Sequence, residues 1–542
     1  MRQVIINTQK EGFKATVGLA HSDCMEKKAA PINVTIDKNY DSEFCGSIPL
    51  HLVNLIQPHG MLLVVNKTEL RVVQASTNVE TYLGIPVDDL LEQPLSDYLS
   101  AVQYADIQSK IASQNSQAKI PLTLTFTVQD TQRTFTALVH PREEYVLIEL
   151  EESAPTSGEE SFLGLYQQIK YITSLLKQVQ STAEAAQLSA DEMKKLTGFD
   201  RVLVYQFDPQ WNGIVIGQAR EADMTDYLGL RFPASDVPKQ ARDLYFSNPY
   251  RLIPTRDYVP VRLIPVINPL TQRFTDLSDS NLRSVASVHL EYLVNLNIKA
   301  SMSLPLIIDN KLWGLISCHH KSPIKPSYEL RSALELLSGI VSVQIASKER
   351  EKAILLHAQL RGVHARLLEQ LYTSPTFTDG LLYGNTNLQE LLNLSGAAVV
   401  FEGSIRTSGS TPTNQEIKEL VAWLRRNKKD KLFTTDTLPK DYGQSKNYKD
   451  LASGLIALPI NAEQGEYILG FRPEVLQTVN WGGNPNNAIQ MEPDGKTYHP
   501  RNSFATYQET VKHTSLPWLA EETEAAEALR SAVLEKIIKE RH

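Results

Sequence analysis

Several features that identify common protein classes are missing from this chain of 542 residues. Its three cysteines, Cys24, Cys45 and Cys318, are too few for a disulfide framework, and their spacing fits no metal site. There is no run of about 18 apolar residues for a transmembrane helix and no apolar segment of a signal peptide at the N-terminus. The net charge is −8, without a sustained cluster of Lys and Arg. These absences predict a cytoplasmic protein with free thiols and with neither a membrane nor a nucleic-acid partner.

The apolar sequence that is present suffices for several cores. Hydrophobic content of 42% and the chain length predict three to four domains at roughly 150 residues each. Short apolar runs between residues 50 and 150, such as the alternating "LTLTFTV", predict an α+β domain with an antiparallel sheet. The composition of "EESAPTSGEES" (Glu151–Ser161) predicts a linker after it.

Two hairpins characterise the next segment. "RVLVYQF" and "IVIGQA" flank a predicted turn at Asn212-Gly213, and "KASMSLPLII" and "KLWGLISCHH" flank another at Asp309-Asn310. Amphipathic helical patterns accompany them, beginning with "FLGLYQQIKYITSLLKQVQ". The segment is therefore predicted to form a second antiparallel sheet with helices on its faces.

A long helical pattern follows. The stretch from Tyr328 to Leu371 contains no proline and predicts one long helix or two nearly continuous ones. Such a helix is either an interdomain spine or a dimer seam. A third domain follows, with the polar excursion "NWGGNPNNAIQMEPDGKTYHPRNSF", a length that is often functional. The last segment, with acids first and bases last, predicts a C-terminal helix.

Motifs along the chain resemble those of phytochromes. They are "CGSIPLHLVNLIQPHG", then "PASDVPKQARDLY" with "LWGLISCHH", then "WGGNP" with "HPRNSF", and finally "SLPWLAEETEAAEALR". The resemblance extends from about Cys45 to about Arg530 and implies three consecutive α+β domains with antiparallel sheets (PAS, GAF, PHY), a helical spine, a knotted N-terminal arm and a tongue hairpin. The implied boundaries are 1–40 for the arm, 41–152 for PAS with the bilin-attaching segment, 160–345 for the GAF chromophore-binding domain, and 346–542 for PHY with a tongue at about 470–515 and the C-terminal helix.

The resemblance implies a red/far-red photoreceptor that carries a linear tetrapyrrole, or bilin. Plant-type and many cyanobacterial phytochromes attach it to a cysteine just before a GAF histidine, but here Val288 precedes His289. Bacteriophytochromes use an arm cysteine eleven residues before the Ile of "IQPHG", which is Ile56 here and places the attachment at Cys45. The implied subclass is a bacteriophytochrome with biliverdin IXα in a thioether bond to Cys45.

The resemblance also implies the pocket. Arg251 and Arg283 match the arginines that bind the two propionates of the pigment, for which the fork of a guanidinium is suited. His289 would lie beside the rings, and His319 would bind the ring D carbonyl. Taken alone, each of these residues also fits an ordinary core or surface position. The other matching pocket residues are Tyr205, Phe232 and Tyr292 around ring D, Ser301 and Ser303 at a propionate, and Val237, Pro238 and Tyr245.

One acid stands among apolar and proline residues in "RFPASDVPKQARDLY". The resemblance implies that the backbone carbonyl of Asp236 accepts hydrogen bonds from the ring N–H groups. It also implies that the side chain pairs with Arg501 of the tongue in one state, and that the tongue refolds from strands towards helix when ring D turns. The alternative is that Asp236 caps a helix that begins near Pro238.

The implied function is that of a sensory module and not of an enzyme. Light would bias the tongue and the spine of a homodimer and so act on an output module absent here, such as a histidine kinase, or on a response regulator downstream. Two alternatives stay open from the sequence. One is a pigment-free GAF sensor of a small molecule such as a cyclic nucleotide, and the other is a scaffold that dimerises through its long helices.

Overall fold

The computed structural model describes most of the chain, namely residues 49–113, 119–153, 161–427, 429–487, 489–491 and 498–541. The predicted attachment residue Cys45 lies outside the described residues, as does the arm before it. Among the helices that the structure describes, none is both long enough and apolar enough to cross a membrane.

The first domain is an antiparallel sheet with short helices. Leu63, Phe135 and Ile148 belong to its core. The edge strand β4 alternates buried and exposed residues, whereas β2 and β6 are buried almost throughout because both faces of the sheet are covered at its centre. The elements are β1 (Leu55–Ile56), β2 (Met61–Asn66), β3 (Val72–Ser76), α1 (Val79–Leu83), α2 (Val87–Leu90), α3 (Ala101–Ser113), β4 (Ile120–Val128), β5 (Thr131–Pro141) and β6 (Tyr145–Glu152).

The second domain packs its helices against one face of another sheet. Val202, Val204 and Met302 lie in the core between the strands and the helices, while alternate residues of the same strands face the other way. The elements are α4 (Phe162–Leu176), α5 (Thr182–Thr197), β7 (Arg201–Phe207), β8 (Gly213–Arg220), β9 (Arg231–Phe232), α6 (Lys239–Leu244), β10 (Arg251–Ile253), β11 (Val261–Ile264), α7 (Ser287–Asn295), β12 (Ala300–Ile308) and β13 (Lys311–His320).

The first two domains share a sheet, with strand order β1-β11-β3-β2-β6-β5-β4. The arm segment before β2 lies between the two limbs of a loop of the second domain. On one side the amide of Leu263 donates to the carbonyl of Asn54, and on the other the amide of Leu277 donates to the carbonyl of His51. A chain held between both limbs of a loop is the arrangement that the knotted arm requires.

A single helix of 46 residues, α8 (Tyr328–Thr373), joins the second domain to the third. Its first half contributes Leu334 and Val341 to the core of the second domain. Its second half contributes Leu367 to the core of the third, where Leu529 of the C-terminal helix also lies. The prediction of one long helix is therefore confirmed.

The third domain has a five-stranded sheet of order β15-β14-β18-β17-β16 and two further strand pairs. Helices α8 and α14 cover this sheet. The elements are α9 (Phe377–Leu382), α10 (Leu388–Leu392), β14 (Gly396–Phe401), β15 (Ser404–Gly409), α11 (Asn414–Arg426), β16 (Phe433–Thr435), α12 (Leu438–Asp441), α13 (Lys449–Ala452), β17 (Gly454–Asn461), β18 (Glu466–Arg472), β19 (Gln477–Gly482), β20 (Ile489–Met491), β21 (Tyr498–Pro500), β22 (Thr506–Val511) and α14 (Ala520–Arg541).

The predicted tongue is in a strand form. Its outer strands β19 and β22 leave the third domain and extend the sheet of the second, in the order β10-β12-β13-β7-β8-β9-β19-β22. The connection is a parallel contact in which Trp481 pairs with Arg231. The predicted antiparallel sheets are thus continuous across domains, with one parallel junction at the tongue.

The turn of the first hairpin differs from its prediction. The chain reverses at residues 208–212, where Trp211 has φ of 66° and Asp208 Oδ1 accepts from the backbone amide of Asn212. Gly213 is already the first residue of β8, and a Cβ atom there would lie 1.6 Å from Cζ of Tyr205. The glycine therefore makes room for a tyrosine and does not form the turn. The turn predicted at Asp309-Asn310 is confirmed, since both residues have positive φ.

The predicted linker begins too early. Glu151 belongs to β6 and is buried, where its carboxylate binds the guanidinium of Arg331 on α8. A composition rich in acids predicted an exposed segment, but an arginine 180 residues away along the chain provides a buried partner.

Candidate functional site

A cavity of about 480 Å³ lies in the second domain, on the face of the sheet opposite its helical core. Leu50 and Val53, in the segment that follows Cys45, and Pro500 of the tongue complete its wall. The structure brings together around it every described side chain that the sequence predicted for the pocket, namely Tyr205, Phe232, Asp236, Val237, Pro238, Tyr245, Arg251, Arg283, His289, Tyr292, Ser301, Ser303 and His319.

Strand alternation explains how the polar groups reach the cavity. On β12, Ser301 and Ser303 face it, whereas Met302 between them packs into the core. Arg251 stands opposite Ser303 in the register of β10 and β12. The hydroxyl of Tyr245 lies 2.7 Å from Oγ of Ser303, which adds a hydrogen bond to this polar side of the cavity.

Two arginines, the buried Arg283 and the half-buried Arg251, dominate the electrostatics of the cavity. Nη2 of Arg251 donates to the carbonyl of Arg283 at 2.5 Å, and Nη1 of Arg283 has no hydrogen-bond partner among the described residues. Burial, followed by the neighbouring Arg251, lowers the pKa of Arg283 to about 9. Within the described part of the chain, no carboxylate comes within 4 Å of either guanidinium. Because buried cations need counter-charges, this side of the cavity is suited to an anionic ligand.

The two histidines of the cavity are neutral. Burial, and next the charge of Arg251, lowers the pKa of His289 to about 4. Burial followed by Arg201 places the pKa of His319 well below its ordinary value. Nε2 of His319 lies 3.0 Å from Oγ of Ser317, and its Nδ1 lies 3.0 Å from Nη2 of Arg201. Both rings can therefore donate or accept single hydrogen bonds without adding charge to the cavity.

Asp236 joins the cavity to the tongue. Its Oδ2 accepts from Nη2 of Arg501 at 2.6 Å and from the hydroxyl of Tyr292 at 2.9 Å. The alternative that Asp236 caps a helix is wrong, because α6 has Pro238 at its N-cap and no side-chain capping bond. Burial raises the pKa of Asp236, and Arg501 and Tyr292 oppose this shift.

Sequence reasoning missed several polar groups at this site. Oγ of Ser235 and Oε1 of Gln240 lie beside residues that the motif singled out, line the cavity, and have no hydrogen-bond partner among the described residues. Such buried atoms are acceptors available to a ligand that carries N–H groups. Arg201 was also missed, although its spacing of two from Leu203 and four from Tyr205 places it on the same strand face.

Comparison with protein families matches three regions of the chain. A PAS fold matches residues 45–153, a GAF domain residues 181–347, and the phytochrome region residues 360–542. Cyanobacterial phytochrome B of Nostoc is 40% identical over 503 residues, which are 93% of this chain and 67% of the relative. The chain belongs to the phytochrome family. Its three matched regions are those of the phytochrome photosensory core.

Other similar proteins agree with this assignment. Cyanobacterial phytochrome A of Nostoc is 39% identical over 495 residues, which are 91% of this chain and 64% of that protein. The crystal structure of a bacteriophytochrome from R. palustris has a TM-score of 0.81 and 36% identity, and the alignment covers 91% of this chain and 99% of that one. The predicted fold class is thereby confirmed, and the relatives support a photosensory core over the two alternatives of a pigment-free GAF sensor and a scaffold. The chain spans about two thirds of the length of the Nostoc phytochromes.

Proposed function

We propose that this phytochrome core binds biliverdin IXα through a thioether at Cys45 and answers red and far-red light by refolding its tongue. The observation that supports the proposal most directly is the pair of Arg251 and Arg283 on the cavity wall, with no carboxylate partner among the described residues. A bilin has two propionates, and two guanidinium forks are suited to bind them. Ser301, Ser303 and Tyr245 add hydroxyl groups on the same side.

The arm supports attachment at Cys45. Leu50 already lines the cavity, and it lies five positions after Cys45 in the sequence. An extended chain of this length spans at most about 17 Å, and a span of this size would allow the thiol to reach a ligand in the cavity. Cys318 is a poor candidate because it is buried in the core on the other side of the sheet, where burial raises its pKa to about 12.

A series of hydrogen bonds within the chain connects the cavity to the tongue. The pigment, when bound, would supply the light-driven isomerisation of the double bond beside ring D. Tyr292 lines the cavity and donates to Asp236, and Asp236 in turn accepts from Arg501 of the tongue. A change in the aromatic wall formed by Tyr205, Phe232 and Tyr292 would therefore act on the carboxylate that holds the tongue in its strand form.

Covalent attachment can be tested with two variants, each of which replaces one cysteine by alanine. After incubation with biliverdin, Cys45→Ala is expected to lose zinc-enhanced fluorescence on a denaturing gel because no thiol remains to form the thioether. Cys24→Ala is the matched control and is expected to keep both the fluorescence and a photoreversible red band. Fluorescence that survives in Cys45→Ala contradicts the assignment of this cysteine. A parallel incubation with phycocyanobilin, another bilin, tests the proposed preference for biliverdin. Stronger covalent labelling by phycocyanobilin would contradict this preference.

The assembly of the core is part of the same proposal. We infer a homodimer through the long helices, supported by the exposed apolar side chains of Leu336 and Val343 on α8 and Tyr166 on α4. The tongue and α8 would act together on an output module, such as a histidine kinase or a response regulator. The PAS, GAF and PHY boundaries given above and a cytoplasmic location complete the proposal.

A further inference from the structure

A buried arginine stands directly behind His319, outside the cavity wall. Arg201 begins β7 opposite His319 in the register of β7 and β13, and its side chain is only 2% exposed. Its Nε and Nη2 lie 3.3 and 3.0 Å from Nδ1 of His319, and its Nη1 donates to the carbonyl of Thr225 at 3.3 Å. Its guanidinium carbon lies 4.3 Å from the ring centre of Tyr227. These contacts orient the guanidinium towards one nitrogen of the histidine.

The chemistry of this contact allows only one arrangement of protons. A guanidinium has donors and no acceptor, so Nδ1 of His319 must offer its lone pair. The proton of the neutral ring is then on Nε2, next to Oγ of Ser317, and both of these residues line the cavity. We infer that Arg201 is a positioning residue that holds His319 in its neutral Nε2–H tautomer, so that the ring presents a hydrogen-bond donor to the cavity.

Arg201 also opposes ionisation of this ring. A second proton would have to bind Nδ1, where it would face the guanidinium at hydrogen-bonding distance. The other titratable groups on the cavity wall do not offset this effect: His289 on α7 lowers the pKa of His319 further, and the carboxylate of Asp236 is already bound to Arg501 and Tyr292. Tyr205 and Tyr292 are uncharged, since burial raises the pKa of each. His319 is therefore a donor of fixed direction over the physiological pH range.

A hydrogen-bond donor of fixed direction at His319 restricts which ligand atoms the pocket can bind there. A carbonyl oxygen next to His319 would always meet an N–H group and never a lone pair, whatever the pH of the cell. The role towards a pigment carbonyl rests on the proposed function. The tautomer itself does not, because the contact between Arg201 and His319 belongs to the polypeptide alone.

Nitrogen-15 NMR of histidine-labelled protein, first without pigment, tests the tautomer directly. The signals of His319 are assigned as those that His319→Gln removes. In the wild type they are expected to report a protonated Nε2 and an unprotonated Nδ1, with no titration in the physiological pH range. A protonated Nδ1, or a titration near pH 6.5, would overturn the inference. Because the pigment is absent, this outcome is independent of whether the proposed function is correct.

Two variants separate the hydrogen bond from the charge. In Arg201→Gln the amide Nε2 can take the place of Nε of the arginine, which lies 3.3 Å from Nδ1, so the tautomer is expected to persist. The titration midpoint of His319 is expected to rise because the guanidinium charge is lost, and to stay below its ordinary value because burial, the larger cause, remains. Arg201→Met removes both effects, and a mixture of tautomers that titrates is expected. With biliverdin bound, the red band of Arg201→Gln should keep its wild-type position and that of Arg201→Met should shift. An unchanged tautomer and an unchanged titration in Arg201→Met would refute the assignment, even if Arg201→Gln folds normally.

Discussion

Two of the buried pairs of arginine and carboxylate join different parts of this molecule, and they are built differently. Glu151 and Arg331 join β6 of the first domain to α8, through two parallel bonds of 2.8 and 2.9 Å. Nζ of Lys325 lies 3.1 Å from the same carboxylate. Burial alone would raise the pKa of Glu151, but Arg331, His59 and Lys325 outweigh it and bring the pKa to about 2. The single carboxylate of Glu151 thus binds two cations, Arg331 and Lys325, although one would balance its charge.

Asp236 and Arg501 join the second domain to the tongue with fewer contacts. Both bonds to the carboxylate converge on one oxygen, Oδ2, and Nε of Arg501 has no hydrogen-bond partner among the described residues. Burial raises the pKa of Asp236 in spite of Arg501. The two pairs share their chemistry, and the difference lies in how completely each is satisfied. A permanent junction gains from surplus partners, whereas a contact that must be exchanged has to remain easy to release.

The largest effect is expected at the junction of the first domain. Arg331→Met removes the bidentate partner of the buried Glu151 and leaves the more exposed Lys325 beside it, which should lower the free energy of unfolding by about 3 kcal/mol, the lower end of the range for a broken buried pair. Chemical denaturation followed by circular dichroism measures this loss. Lys325→Met is the matched control, because it removes a more exposed cation from the same carboxylate and should lower the stability by about 0–1 kcal/mol. Equal losses in the two variants would show that Arg331 is no better a partner than Lys325.

The same junction should give the protein an acid-dependent stability. The folded-state pKa of Glu151 is depressed from 4.5 to about 2, so its contribution is fully present above pH 4.5 and is lost as pH falls towards 2. We expect at most about 3 kcal/mol from this source. Denaturation midpoints measured between pH 6 and pH 3 check it, with Glu151→Gln as the comparison. If the variant declines as steeply as the wild type below pH 4.5, the depressed pKa does not exist.

The tongue pair should show a smaller and more local effect. Arg501→Met strands a carboxyl group whose pKa is already raised and which can take up a proton, so we expect a loss of about 1–3 kcal/mol. Hydrogen exchange is the measurement, with faster exchange of β19 and β22 amides and unchanged exchange in β12. Arg231→Met is the control at the same sheet edge, since Arg231 pairs with Asp208 at 3.6 Å and is more exposed. Exchange that accelerates equally in the control would mean that the pair has no special role in docking the tongue.

The pair of Asp236 and Arg501 could be predicted from the sequence, whereas the pair of Glu151 and Arg331 could not. The motif around Asp236 and the motif around Arg501 allowed their contact to be predicted, because both carry a resemblance to a known family. Glu151 was assigned to a linker, because the composition around it is that of an exposed segment and nothing local indicates Arg331. Arg201 was missed for the same reason, since a charged residue at the start of a strand is ordinarily exposed. Local patterns thus predicted the long helix and the hairpin at Asp309-Asn310, while long-range pairing of charges could be predicted only where family motifs mark both partners, as at Asp236 and Arg501.

A third charged pair, the second one in the tongue, gives the smallest expected effect and completes the comparison. Nδ1 of His499 on β21 lies 2.9 Å from Glu291 on α7, but both side chains are about 40% exposed. Because water and salt screen such a pair, Glu291→Gln should change the protection of the tongue by only about 0–1 kcal/mol. Hydrogen exchange at low and at high salt checks this, and the difference between variant and wild type should vanish at high salt. A loss of protection as large as that in Arg501→Met would mean that the exposed pair of His499 and Glu291, and not the buried pair, holds the tongue against the second domain. Release of the tongue would then require no change at Asp236.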